Sequence, residues 1–305
     1  MAEENITQSK TEKLPKPGKP TKPEKTGAAR PDLITLAGLA VALAGILGGL
    51  LLEGGRIRDV AQITAAMIVL GGTAGAVMVS TPLPVLKGAM RRLAAVFFDS
   101  TPDLGKVTEE VIGYATKARK NGLVSLEEEA DQIVDPFLRK ALNLAVDGTD
   151  IHEIRKMLDL EMAVGEQTGE AEAKVFESAG GYSPTIGIIG AVLGLIQVMK
   201  NLANIDEVGH GIAVSFVATV YGVGSANLLF LPMATKIKAR QRAESQRQEL
   251  ILEGVSGIVE GLNPKLIREK LRAFTGPMEA PRPAAEPANK PAAAEAKPVE
   301  EPVKA

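Results

Sequence analysis

Four stretches of the chain, residues 33–52, 60–86, 179–199 and 211–235, contain no charged side chain and are dominated by Leu, Ile, Val, Ala and Gly. A helix rises about 1.5 Å per residue, so about 20 apolar residues cross the hydrocarbon of a bilayer. All four stretches meet that length. The first has the apolar character of a secretory leader, but it starts late, is long for one, and is followed by three more like it. The pattern therefore predicts an all-α membrane protein with four transmembrane helices. Short connections at 53–59 (EGGRIRD) and 200–210 (KNLANIDEVGH) pair the stretches into two hairpins, 32–86 and 179–235.

Between the hairpins, residues 87–178 change to a helical, amphipathic pattern. TPDLGKVTEEVIGYATKARKNG places Leu104, Val107, Val111, Ala115 and Ala118 on one face, behind an expected Thr101 cap with Pro102 in the first turn, and Gly122 ends the helix. A second helix carries Leu126, Ala130, Ile133, Phe137, Leu138 and Ala141, interrupted near Pro136, and a third starts at Asp150. Helices are also expected over 236–275. The two ends are different: residues 1–31 are rich in Lys and Pro, and 276–305 in Pro, Ala, Glu and Lys, compositions that bury too little apolar surface to offset chain entropy. Both are expected to be disordered.

Charge changes the picture only locally. The net charge of −2 averages a basic amino-terminal tail with an acidic middle and gives no case for nucleic acid. Lys87, Arg91 and Arg92 follow the second stretch, and Lys236, Lys238, Arg240 and Arg242 follow the fourth. By the positive-inside rule that face, with both termini and residues 87–178, is cytoplasmic, and the latter form a helical cytoplasmic domain. Arg56 and Arg58 run against the rule, flanked by Glu53 and Asp59. There is no cysteine, and the two histidines, His152 and His210, are far apart, so no metal-ligand spacing exists and no metal or cofactor is expected. GVGSAN at 222–227 resembles a phosphate loop but lies inside an apolar stretch, and no nucleophile stands with a base, so no enzyme is expected.

The third and fourth stretches carry small residues at helical spacing: Gly187, Gly190, Ala191 and Gly194 in one, and Ser215, Thr219, Gly222 and Ala226 in the other. Such faces let helices approach closely in lipid. The pattern serves equally for packing inside one chain or against another. Pro184 and Pro232 each remove a backbone donor; Pro184 also fits a first helical turn, where proline costs little. Thr219 can hydrogen-bond a passing ion or its own helix one turn back, but it does not exchange a proton at ordinary pH. If protons pass here, the titrating carboxylate belongs to another chain.

PTIGIIGAVLGLIQVMKNL, then GHGIAVSFVATVYGVGSANLLFLPMATKIK, then GLNPKLIREKLRAF, in that order after two earlier spans, resemble the MotA/PomA stator subunits of the bacterial flagellar motor, within the wider group that includes ExbB and TolQ. ExbB and TolQ relatives typically have three spans, so the hairpin at 33–86 favours the MotA branch over an ExbB/TolQ-like energiser of an outer-membrane system. The resemblance implies a bacterial inner-membrane protein that forms a homopentamer around MotB-type partners. Each partner has a single span bearing an aspartate and a peptidoglycan-binding domain. It further implies that Gly187, Gly190, Gly194, Ser215 and Gly222 admit the partner's helices, that Thr219 is the pore threonine, and that Pro184 and Pro232 transmit protonation into motion. KARKNGLVSLEEE resembles the segment whose arginine and glutamate face a FliG-type rotor protein, here Arg119 and Glu127. Sodium-using members tend to have a threonine at the position of Ala191, so the transported ion is expected to be the proton, with sodium as the alternative. His210, beside the outer mouth, is outside the pattern.

Overall fold

The computed structural model describes residues 30–99 and 103–275. The expected disordered tails lie outside the described residues, except that Arg30–Pro31 (β1) pair antiparallel with Phe98–Asp99 (β2) instead of belonging to a tail. Thr101 and Pro102 are likewise outside them. Apart from this two-residue pairing the described chain is helical: α1 Leu33–Leu52, α2 Ile57–Val60, α3 Ile63–Ser80, α4 Leu83–Val96, α5 Leu104–Asn121, α6 Glu127–Ala130, α7 Pro136–Val146, α8 Ile151–Lys200, α9 Ile205–Val259 and α10 Pro264–Thr275. Of these, α1, α3, α8 and α9 are long and apolar enough to cross a membrane.

Several boundaries move for identifiable reasons. The second apolar run stops being one helix at Thr81, whose backbone is extended, because the following Pro82 disfavours helical geometry there; α4 then begins afresh. The cap of α5 is Asp103, not Thr101: its carboxylate accepts from the Gly105 and Lys106 amides at 3.1 and 3.2 Å. The expected second helix is two pieces, α6 and α7. Asp135 caps the latter, accepting from Phe137 and Leu138, with Pro136 in the first turn. The helix from Asp150 and the third span are a single 50-residue helix, so Pro184 lies inside a helix and not in a first turn. The fourth span likewise runs on without interruption through Lys236 to Val259.

The chain divides into two compact units, and α8 and α9 contribute to both. One comprises the described residues up to 99 and Ala171–Lys238. In it Ala65 and Val69 of α3 pack on Val214, Val217 and Ala218 of α9, while α4 packs through Ala89 and Val96 on Ala173, Phe176, Ala234 and Ile237. Helix α1 buries no residue within the chain. It is tied at one end, where Lys236 bonds Asp32 and Thr35.

The second unit, residues 103–170 and 239–275, is an ordinary helical core. Leu126, Leu138, Leu142, Ile154, Leu158, Leu250, Ile251, Ile267 and Leu271 are fully buried. Each such side chain is worth roughly 1.5–3 kcal/mol of burial. At its rim Glu253 accepts from Arg155 at 2.9 Å and Lys270 at 2.8 Å. Partial burial pushes the Glu253 carboxyl up, but the Lys270 and Arg155 cations outweigh it and hold it below its ordinary value.

Candidate functional site

The third and fourth spans meet along their small residues, pair by pair. Ser183 and Ser225 share a hydroxyl hydrogen bond of 2.6 Å. A Cβ on Gly222 would lie 2.7 Å from the Ser183 carbonyl oxygen and 3.0 Å from the Gly187 Cα. One on Gly187 would lie 2.9 Å from the Ala218 carbonyl oxygen, and one on Gly190 2.8 Å from the Ala218 methyl. One on Gly194 would stand 2.8 Å from the Gly211 carbonyl oxygen. Ser215 closes the row by donating to the Ala191 carbonyl at 2.8 Å as well as to Gly211 of its own helix at 3.0 Å. Only glycine fits such backbone proximity, and without a hydrophobic force between helices in lipid this contact is what holds the pair.

This revises the expectation for Gly187, Gly190, Gly194, Ser215 and Gly222. All five are buried between α8 and α9 of the same chain, so none offers a free surface to another chain's helix. A small-residue stripe does not say which helix it belongs to. What the pair leaves exposed are the flanking apolar residues, Ile188, Ile189, Val192 and Ile196 on α8, and Phe216, Val220 and Val223 on α9.

Thr219 is half-buried at the edge of this seam, its Cα 3.5 Å from where a Gly187 Cβ would be. Its hydroxyl donates to the Ser215 carbonyl one turn back, at a long 3.3 Å. The bond occupies the proton and leaves the oxygen lone pairs available. Ala191 is half-buried, its carbonyl engaged by Ser215. The four spans contain no ionisable side chain between residues 33 and 52, 63 and 80, 179 and 199, or 211 and 235 apart from Tyr182 and Tyr221.

Past Ser225 the fourth span widens into a π-helical turn, Ala226–Phe230, in which the Leu231 amide reaches back to Ala226. Pro232 follows, exposed, and has no amide to give the Leu228 carbonyl. The wide turn and the proline together weaken the ladder in one place. Here the span also faces a cavity of about 310 Å³, lined by Pro232, Leu228 and Asn227 on one side and Ile34, Thr35 and Gly38 of α1 on the other. Pro184 interrupts the ladder of α8 next to Ser183, whose carbonyl lies against Gly222.

Sequence reasoning missed one tie. The Tyr221 hydroxyl donates to the Val60 carbonyl at 2.5 Å and accepts from the Gln62 amide at 3.3 Å, fastening α9 to the backbone break between α2 and α3. Its only signal was a tyrosine in an apolar run, which names no partner.

In the second unit Arg119 sits in the last turn of α5 and Glu127 opens α6, on either side of Gly122 and a 3-10 turn, Leu123–Leu126. Gly122 has φ +85°, a conformation glycine adopts without a Cβ penalty, and it reverses the chain here. Both charges are exposed and, among the described residues, neither has an ion pair, whereas neighbouring Lys117 and Glu129 bond each other. Val124 between them is 70% exposed. His210 is exposed near the start of α9. Among the described residues no three His, Cys, Asp or Glu side chains converge as metal ligands.

Residues 129–250 match the MotA/TolQ/ExbB proton channel family, and residues 36–116 match the motility protein A N-terminal family. Motility protein A of Bacillus subtilis is 35% identical over 247 residues, which are 80% of this chain and 90% of that one. Among solved structures, the MotAB complex of C. jejuni superposes with a TM-score of 0.78 at 33% identity, covering 84% of this chain and 100% of the other. The flagellar MotAB stator complex of Bacillus subtilis does so with a TM-score of 0.72 at 33% identity, covering 79% and 95%.

Proposed function

The chain belongs to the MotA/TolQ/ExbB proton channel family, on its motility protein A branch, and from that membership we propose that it is the ion-conducting stator subunit that couples ion flow to torque on a flagellar rotor. The observation that supports this most is the composition of the α8–α9 pair. It is a tightly seamed wall with hydroxyls at Thr219, Ser215 and Ser225, and no carboxylate within it. A titrating group inside the membrane is then the contribution of a MotB-type partner, the second component of the MotAB complexes that this chain resembles.

In this reading the chain lies in the bacterial inner membrane with both termini and the second unit in the cytoplasm, as a homopentamer around the partner's helices. The faces beside the seam, carrying Thr219, Val220 and Val223 of α9 and Ile188 and Val192 of α8, receive the partner in place of the glycines. Protonation of the partner's carboxylate removes a charge that costs roughly 2.5–3.5 kcal/mol at the centre of a span, and its helix repacks against that wall. Ion entry down the membrane potential supplies about 2.3 kcal/mol per charge per 100 mV. The π turn and Pro232 are the yielding point at which repacking bends the long α9, and Pro184 is its counterpart on α8. Arg119 and Glu127, exposed and without an ion pair among the described residues, meet the rotor, where surface charges steer a contact that is repeatedly remade. Ala191 supplies no side-chain oxygen, which favours protons over sodium.

Thr219→Val and Pro232→Ala test this together. Each is expected to cut swimming speed at least tenfold while the protein stays in the membrane at wild-type level. Normal swimming by both variants contradicts the assigned roles.

A further inference from the structure

Helix α4 has two unlike faces. Inward, Val85, Leu86, Ala89, Leu93 and Val96 join the apolar cluster, and Glu172 lies so close to Gly88 that any Cβ there would collide with it; Glu172 is itself ion-paired with Arg92. Outward, Leu83, Lys87, Met90 and Arg91 fall at i, i+4, i+7 and i+8 on one exposed stripe, with Leu83 61% and Met90 53% exposed. Neither Lys87 nor Arg91 has an ion pair or side-chain hydrogen bond among the described residues, and the carboxylate packed on this helix already belongs to Arg92.

We propose that this stripe binds the headgroups of anionic phospholipids. The proposal rests on the membrane orientation above, in which α3 leaves the bilayer at Ser80. The far end of α4 is at the same level, because Val96 and Phe97 line a cavity with Ile34 and Gly38 of α1 and the Phe97 carbonyl accepts from the Asp32 amide at 2.9 Å, so α4 runs along the bilayer surface. From a helix lying at that level, long cationic side chains reach the headgroup phosphates while apolar residues stay beside the acyl chains. Lys87 and Arg91 thus meet phosphates, while Leu83 and Met90 contact the upper acyl chains. The stripe is cationic and apolar with no acid of its own, which matches a lipid phosphate above its chains. A basic residue near an anionic surface strengthens binding about fivefold.

Native mass spectrometry of the full-length protein, titrated with phosphatidylglycerol or with phosphatidylcholine of the same acyl chains, tests this. Wild type is expected to retain phosphatidylglycerol preferentially, and the Lys87→Gln/Arg91→Gln double variant to bind it at least tenfold more weakly, with phosphatidylcholine unaffected. Each single variant should show part of the loss; Arg58→Gln, in the opposite hairpin, and the charge-conserving Lys87→Arg/Arg91→Lys pair should show none. Equal retention of phosphatidylglycerol by wild type and double variant overturns the proposal. So does wild-type indifference to headgroup, or displacement of the lipid by millimolar inorganic phosphate. A change in the number of copies per assembly with lipid retention intact assigns the stripe to a protein contact and overturns it too. Lipid retention is read without a motor, so its failure and failure of the stator reading are separate results.

Discussion

Gly222 shows what a single missing methyl does in this molecule. Its hydrogen stands where a Cβ would be 2.7 Å from the Ser183 carbonyl oxygen and 3.0 Å from the Gly187 backbone, neither of which belongs to a flexible side chain. Gly222→Ala therefore forces α8 and α9 apart, at a cost of about 1–3 kcal/mol as for other overpacked sites. Gly224, two residues on, has nothing within 4 Å of its Cβ position, and Gly224→Ala is expected to be neutral or slightly stabilising. Thermal unfolding in detergent distinguishes them: a midpoint lowered by several degrees for the first and unchanged for the second is expected, and equal midpoints contradict the seam. That Gly187, Gly190 and Gly194 on one span and Ser215 and Gly222 on the other mark close helix contacts was legible, because spacing alone puts each set on one face of its own helix. Which helix fills that face was not, since the pairing of Gly187 with Gly222 or Ser183 with Ser225 is a property of two distant segments meeting.

Among the elements, the spans were the easiest to read, for a charge-free run is a local property, and α1, α3, α8 and α9 each contain one. The break at Pro136 was legible from the proline, whereas the one at Pro82 was read through because the apolar run continues past it to Leu86. Other features were missed where no residue type announces them: the joining of the helix from Asp150 to the third span, and the π turn at Ala226–Phe230, follow from packing. The cap of α5 was misplaced at Thr101, whose residue type suits the position; Asp103 is the residue that bonds the amides. The turn carrying Arg119 and Glu127 bears a direct test. Neither side chain has an ion pair among the described residues, so reversal of either charge, Arg119→Glu or Glu127→Lys, should leave protein level and helical content unchanged. Swimming speed should fall several-fold for each, more steeply when both are reversed. Unaltered speed in the double variant removes the rotor role.

The rim of the second unit has its own pH signature. Glu253 is held below its ordinary value because the Lys270 and Arg155 cations outweigh the upward push of burial. Its stabilising contribution is therefore complete above the unfolded glutamate value near 4.3 and is lost as pH falls through the lower folded one. The network is partly exposed, so the loss is below about 1 kcal/mol. Glu253→Gln should lower the melting temperature slightly at pH 7 and flatten its decline between roughly pH 5 and 3, so that the two proteins converge in acid; an unaltered acid slope contradicts the pairing.

At the scale of the whole molecule, the feature that organises the rest is a division between two polypeptides. This chain contributes a seamed, hydroxyl-bearing wall that cannot itself take up and release a proton near neutral pH, and the proposed MotB-type partner contributes the group that does. Long-range ties such as Tyr221 to Val60 and Lys236 to Asp32 hold the spans of the chain together and leave the apolar faces beside the seam exposed. Proton uptake into proteoliposomes under an imposed membrane potential, followed with a pH-sensitive dye, tests this most directly. Uptake is expected only when this chain and a MotB-type partner are reconstituted together, and is expected to vanish when the partner's membrane carboxylate is replaced by its amide. Uptake of the same size by this chain alone would show that the titrating group lies elsewhere and contradict the division of roles.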